Sequence, residues 1–202
     1  MHNEIEAQFL DIDKDKIRQK LKQIGATCIK PELKMKRVIF DVGPHQFIRV
    51  RDEGDQIVMT YKNVNDDKSI LGTKEVNLAV DNYDNAVLFM QGTGLPIKAH
   101  QETLRETWHY QNVEICIDTW PWIPSFIEIE GPSEDAVWHA ARQLGFQKSA
   151  AKFGSVDSTY HHYYGVNCDV VNLETPIITF ECEPPTWVKP DILVKINPLH
   201  KK

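Results

Sequence analysis

Several things are missing from this 202-residue chain, and each absence excludes something. No stretch approaches the roughly 18 uninterrupted apolar residues that a membrane-spanning helix needs. The opening Met1-His2-Asn3-Glu4 has neither the basic patch nor the apolar core of a secretory signal, so a cytoplasmic location without a membrane partner is expected. Cysteine is sparse: Cys28, Cys116, Cys168 and Cys182 lie far apart, form no C-x-x-C pair and have no histidines at finger spacing. Neither a zinc site nor a disulfide framework is indicated, and buried or inert thiols are expected. A basic surplus is missing too. A formal charge of -6 speaks against extended nucleic-acid binding, because counterion release rewards a basic face. A small anionic ligand stays open, since it responds to the local charges of a pocket.

What is there suits one globular domain: 42% of residues are hydrophobic and 26% charged. Four stretches have helical periodicity: Asp13 to Ile24 before Gly25, Asn82 to Gln91 before Gly92, a run after the N-cap candidate Ser133 to Gly145, and Val156 to Tyr164 before Gly165. Between them lie eight segments of two-residue alternation: Glu4 to Phe9, Arg37 to Asp41, Gln46 to Arg51, Gln56 to Lys62, Thr73 to Val80, Thr103 to Tyr110, Val113 to Asp118 and Ser125 to Glu130. That number is enough to close a barrel, so the expected class is α+β, with a closed eight-stranded antiparallel β-barrel and helices packed outside. Glu4-Ile5-Glu6 and Glu128-Ile129-Glu130 each lead into a helix ending at Gly25 or Gly145, which suggests two diverged halves. Residues 166–202 fit neither half. Their prolines predict a mostly irregular extension with one strand at Ile177 to Cys182.

Residues i and i+2 of a strand share a face, so Glu4 goes with Glu6, Arg49 with Arg51 and Glu128 with Glu130. An isolated strand of this kind turns its charged side to water. If helices cover the barrel, however, the apolar sides serve the helix–sheet core and the charged sides point inward. Like charges crowded there persist only with counter-ions or a ligand of opposite sign.

In this order the motifs resemble a known family. Glu4-Ile5-Glu6-Ala7-Gln8 resembles the E-x-E-x-K signature of CYTH domains, the triphosphate tunnel metalloenzymes. Phe47-Ile48-Arg49-Val50-Arg51 resembles their R-x-R strand, Thr60-Tyr61-Lys62 their lysine strand, and Phe126-Ile127-Glu128-Ile129-Glu130-Gly131 their second acidic strand. Arg105, Asp118 and Lys152 with Ser158-Thr159-Tyr160 fall where the family has an inward arginine, a metal-binding aspartate and a C-terminal lysine. The resemblance spans residues 1–165. It implies a tunnel in which Arg49, Arg51, Lys62, Arg105, Lys152 and Gln8 bind phosphate, with Lys62 and Arg105 catalytic. It further implies that Glu4, Glu6, Asp118, Glu128 and Glu130 hold Mg²⁺ or Mn²⁺, and that Glu75 lies on the tunnel wall. Gln8 stands in place of the signature lysine, Thr103 where a second basic residue often precedes the arginine, and Asn77 where an acidic residue is common.

The implied activity is metal-dependent hydrolysis of tripolyphosphate, thiamine triphosphate or a nucleoside triphosphate. Class IV adenylate cyclase chemistry, yielding cyclic AMP and pyrophosphate, is the alternative, and a binding module without turnover is a third. The partner is a small triphosphate, and a homodimer is compatible with it. His161 and His162, about 100° apart on a helix, are expected at the surface, and Trp120 and Trp122 at a barrel mouth.

Overall fold

A computed structural model of the chain describes residues 1–64 and 69–196. The elements run β1 (His2–Glu4), β2 (Glu6–Phe9), α1 (Lys14–Gln23), β3 (Thr27–Gly43), β4 (Gln46–Asp52), β5 (Ile57–Val64) and β6 (Thr73–Val80). They continue with α2 (Tyr83–Gly92), β7 (Ile97–Tyr110), β8 (Val113–Thr119), β9 (Phe126–Glu130), α3 (Glu134–Gln143), α4 (Val156–Tyr164), α5 (Cys168–Leu173), β10 (Ile177–Ile178) and α6 (Pro190–Ile196). None of the described helices is long and apolar enough to cross a membrane.

Nine strands follow one hydrogen-bonded path, β1-β6-β5-β4-β3-β7-β8-β9-β2, antiparallel throughout. Its two ends, β1 and β2, are consecutive in the chain and separated by Ile5 alone, so the path curls into a nearly closed barrel. The count is nine rather than the expected eight because the segment from Glu4 to Phe9 is split at Ile5. Its first half pairs with β6 and its second with β9.

Helices occupy the outside. Ala7, Phe9, Ile115, Ile117, Ile127 and Ile129 pack against α1 and α3, while Val38, Phe40 and Val50 pack against Ala86 and Met90 of α2. Capping fixes where these helices begin. Asp13 accepts from the backbone N–H groups of Asp15 and Lys16, Asn82 from Asn85 and Ser133 from Ala136. The two repeat halves meet side by side: β2 pairs with β9, placing Glu6 opposite Glu130 and Gln8 opposite Glu128. Lys20 of α1 donates to the last carbonyl region of α3 at Leu144, 2.6 Å away.

Three expectations need correction. β3 begins at Thr27 instead of Arg37, and β7 at Ile97 instead of Thr103. Register shifts near Lys30 and Leu33 break the alternation of early β3, which also contains Pro31. The extension is more ordered than its prolines imply, because α5, β10 and α6 lie within it. β10 covers only Ile177 and Ile178 and pairs parallel with β7. Val171, Ile178 and Val188 of this extension pack with Trp120, Trp122, Tyr160 and Tyr164, so it docks on its own barrel mouth. His161 and His162 are exposed, and Cys116 is buried whereas Cys28 is exposed.

Gly131 sits at the barrel seam, where its N–H donates to the Ile5 carbonyl at 3.1 Å. A Cβ there would meet Val113 Cγ1 at 2.8 Å and Val137 Cγ2 at 3.3 Å. Gly131→Ala is therefore expected to destabilise the protein by about 1–3 kcal/mol. Gly92→Ala, with nothing within 4 Å of the new methyl, should leave stability nearly unchanged or slightly raised. Urea denaturation of both variants checks this.

Candidate functional site

The inner faces of the strands enclose a cavity of about 1190 Å³. Alternation decides its lining. Arg37 on β3, Arg49 and Arg51 on β4, Lys62 on β5, Glu75 on β6, Arg105 on β7, Glu128 and Glu130 on β9, and Glu4, Glu6 and Gln8 on β1 and β2 all face it. Eight of the expected site residues besides Gln8 and Glu75 are thereby brought together.

Charge is not mixed evenly around the ring. By strand order, β3 and β4 stand half-way round from β2 and β9, so Arg37, Arg49 and Arg51 oppose Glu6, Glu128 and Glu130. Lys62 and Arg105, on the flanks, neutralise part of the acidic wall. Lys62 Nζ donates to both carboxylate oxygens of Glu4 at 2.7 Å and lies 3.3 Å from Glu75. Arg105 forms a fork on Asp118, with Nε to Oδ1 at 2.7 Å and Nη2 to Oδ2 at 2.6 Å, and also contacts Glu128.

Glu6 and Glu130 are left over. Opposite each other in the β2–β9 register, they make no ion pair or side-chain hydrogen bond among the described residues. Burial and the Glu4 carboxylate push Glu6 well above the usual carboxylate range, and burial, Glu4 and Glu75 push Glu130 up to about 7. Such a pair suits a hard divalent cation, which would take the place of protons. Among the described residues no three His, Cys, Asp or Glu stand together as a ready-made metal cage.

The cationic wall is under-compensated in the opposite sense. Arg51 is held by Glu53, which Nε reaches at 2.7 Å. Arg49 reaches only the Thr60 hydroxyl, at 3.1 Å, and its Nε is buried without a partner. Burial and the neighbouring Arg51 lower the Arg49 guanidinium to about 9. An arginine stays protonated at neutral pH, so the depression registers how poorly this wall is neutralised.

Three of the expected site residues are placed differently from the rest. Gln8 lines the cavity, but its amide donates to Glu128 Oε1 at 3.0 Å and to the Gly154 carbonyl at 3.1 Å. Both donors thus tie the acidic strand to the segment before α4. Lys152 is exposed and outside the cavity; it meets Gln8 through a pair of backbone hydrogen bonds of 3.0 and 2.9 Å. Asp118 is wholly buried behind Arg105 and is not among the residues that line the cavity. Burial pushes its carboxyl up to about 6, against the pull of Arg105. Both of its oxygens accept from Arg105. Arg37, by contrast, was not singled out from sequence: it is one arginine, outside any R-x-R or E-x-E pair. Its alternation with Val38 and Phe40, which serve the α2 core, is the signal that points it inward.

Comparison with known proteins follows this geometry. The CYTH domain family model matches residues 2–163, most of the chain. The chain belongs to the CYTH family. A search of curated proteins returned no match. Among solved structures this CYTH domain resembles a Pyrococcus horikoshii protein, with a TM-score of 0.65 and 21% identity over 74% of this chain and 94% of that one. It also resembles a candidate adenylate cyclase from Vibrio parahaemolyticus, at 0.65 and 12% over 79% and 98%. A third likeness is to a candidate adenylyl cyclase from Hippeastrum with a dominant triphosphatase activity, at 0.50 and 11% over 81% and 97%. At such identities the likeness carries the fold, and the site must speak through its own residues.

Glu53 gives this site a pH dependence. Burial alone would raise its carboxyl, but Arg51, Gln56 and Lys30 hold it down at about 2, against an ordinary 4.5. A depressed carboxylate contributes stability above its unfolded pKa and loses it as pH falls through the folded one. Wild type should therefore be more stable than Glu53→Gln by about 3 kcal/mol at neutral pH. That advantage should shrink between about pH 4.5 and 2, as read from melting temperatures of the two proteins across that range.

Proposed function

We propose that this CYTH domain hydrolyses the terminal phosphoryl group of a triphosphate, such as tripolyphosphate, thiamine triphosphate or a nucleoside triphosphate, with Mg²⁺ or Mn²⁺. The observation that carries the reading is the opposition of two unneutralised walls across one cavity: arginines with an unpartnered Nε on one side, and the carboxylate pair Glu6 and Glu130 on the other. A linear triphosphate with a divalent cation supplies both missing signs of charge at once.

In this reading Arg49 and Arg51 hold phosphoryl oxygens on the cationic wall, their planar forks matching phosphate geometry. Lys62 and Arg105 stand between the walls, where charge develops as the bond to the leaving oxygen breaks. They release part of their hold on Glu4 and Glu128 as phosphate arrives. Glu6 and Glu130, joined by Glu4 and Glu128, would hold the cation. A bound Mg²⁺ or Mn²⁺ supplies charge neutralisation between carboxylates and phosphate and polarises a phosphoryl oxygen.

Cyclisation of ATP would draw on the same groups, but it also asks for a surface that receives the base. Trp120, an aromatic side chain on the cavity wall, has its ring face covered by the Arg37 guanidinium, 4.7 Å from the ring centroid.

Incubation with tripolyphosphate or ATP should release inorganic phosphate in Mg²⁺ or Mn²⁺ and none in excess chelator. Cyclic AMP with pyrophosphate would instead identify a cyclase, and binding without product a module that only binds. The double variant Glu6→Gln/Glu130→Gln should lose on the order of a hundredfold or more in turnover. It should still bind tripolyphosphate, because two repelling carboxylates are gone. Undiminished turnover in that variant would remove the acidic wall from the mechanism.

A further inference from the structure

Several inward cations of this barrel have a carboxylate partner among the described residues. Arg51 has Glu53, Lys62 has Glu4 and Glu75, and Arg105 has Asp118 and Glu128. Arg37 and Arg49 have none among the described residues, and theirs are the buried side-chain nitrogens left without a hydrogen bond. Arg37 is the more deeply placed, with 5% of its surface exposed. An isolated buried guanidinium is costly to keep, and the groups around this one make it worse: Arg51, Arg49 and Arg105 are all of like sign. Asp118, a carboxylate that acts on it from nearby, is already committed to Arg105.

The side chain is nevertheless held in a defined pose. Nη2 donates to the Thr103 hydroxyl on the adjacent strand, and the guanidinium lies over Trp120. The β3–β7 register explains the reach, since Met35 is opposite Thr103 and Gln101 opposite Arg37, which puts Thr103 diagonally beside Arg37 on the same inner face. Thr103 is completely buried, so its hydroxyl has this contact in place of water. A charge fixed on two sides, on a residue that lines the cavity and whose buried Nε has no partner in the protein, is arranged for an anion.

We propose that Arg37 is a phosphate-binding residue of this cavity, forming with Arg49 a subsite for a phosphoryl group, and that Thr103 is its positioning residue. The proposal rests on the triphosphate reading above and adds to it a residue and an anchor. Phosphate oxygens accept from the guanidinium groups of Arg37 and Arg49, whose buried Nε atoms have no partner within the protein. Trp120 seats the cation and keeps water from its far side.

Two readouts test it on the full chain. Tripolyphosphate binding, measured by isothermal titration in chelator to prevent turnover, should weaken roughly 10- to 100-fold in Arg37→Gln, in keeping with loss of a charged hydrogen bond. Arg37→Lys should retain more affinity. Melting of the ligand-free protein should move the other way, with Arg37→Gln melting higher than wild type because a repelled cation has been removed. Thr103→Val should weaken binding severalfold at unchanged charge, and Thr103→Ser should restore it. Arg37→Gln/Thr103→Lys, which returns a cation to the same spot from the neighbouring strand, should recover part of the lost affinity. Wild-type affinity in Arg37→Gln would overturn the subsite while leaving the triphosphate reading intact. A lower melting temperature in ligand-free Arg37→Gln would make Arg37 a structural cation and overturn it too. If the wild-type protein bound no tripolyphosphate, the triphosphate reading would fail first and this subsite with it.

Discussion

Where helices cover the barrel, over β2, β8, β9, β4 and the second half of β3, both faces of the strands are enclosed, and the chemistry of the cavity follows from that. A sheet with one wet face can leave its charges in water. Here α1, α2 and α3 take the apolar faces, with Ile127, Ile129 and Val50 fully enclosed. The charged residues between them have only the cavity to face. Burying an ion costs several kcal/mol even after relaxation, so the interior has to be balanced group by group. Lys62 and Arg105 do most of that balancing, each bridging carboxylates on different strands.

That constraint also explains what could be read in the sequence. Alternation fixes which residues share a face, and helix periodicity shows that something covers the outer one, so Glu4, Glu6, Arg49, Arg51, Glu128 and Glu130 could be assigned to the cavity from pattern, while Lys62 was marked by the family resemblance. Helix starts were legible because Asp13, Asn82 and Ser133 are chemically suited to accept the first free N–H groups. Early β3 was not, because its register shifts and Pro31 interrupt the period on which the reading depends. Helices as short as the six residues of α5 are too brief to display a period.

Roles were harder to read than faces. Gln8 shares the inner face with Glu6, yet its role depends on Gly154 and Glu128, far away in sequence. Asp118 has a ligand's chemistry and an inward direction, but Arg105 stands in front of it. Arg37 is identified only by its surroundings: three like charges, a threonine hydroxyl and an indole face brought together by β3, β4, β7 and the loop after β8. A pattern of two tells where a side chain points; what meets it there is decided by the other strands.

The two acidic strands are the sharpest case. Repeating Glu-Ile-Glu in both halves and pairing the halves through β2 and β9 sets Glu6 directly against Glu130. No cation on β2 or β9 can come between them, because the alternate positions Ala7, Ile127 and Ile129 belong to the outer core. Lys62 and Arg105 reach inward from the flanking strands and are taken up by Glu4, Glu75, Asp118 and Glu128. The arginines that could neutralise the remaining pair sit half-way round the ring on β3 and β4, held there by the backbone. Direct pairing would collapse the cavity and sacrifice the outer packing of Val38, Phe40 and Val50. The barrel therefore keeps two opposite charges apart, and a ligand carrying both signs can satisfy what the protein alone cannot.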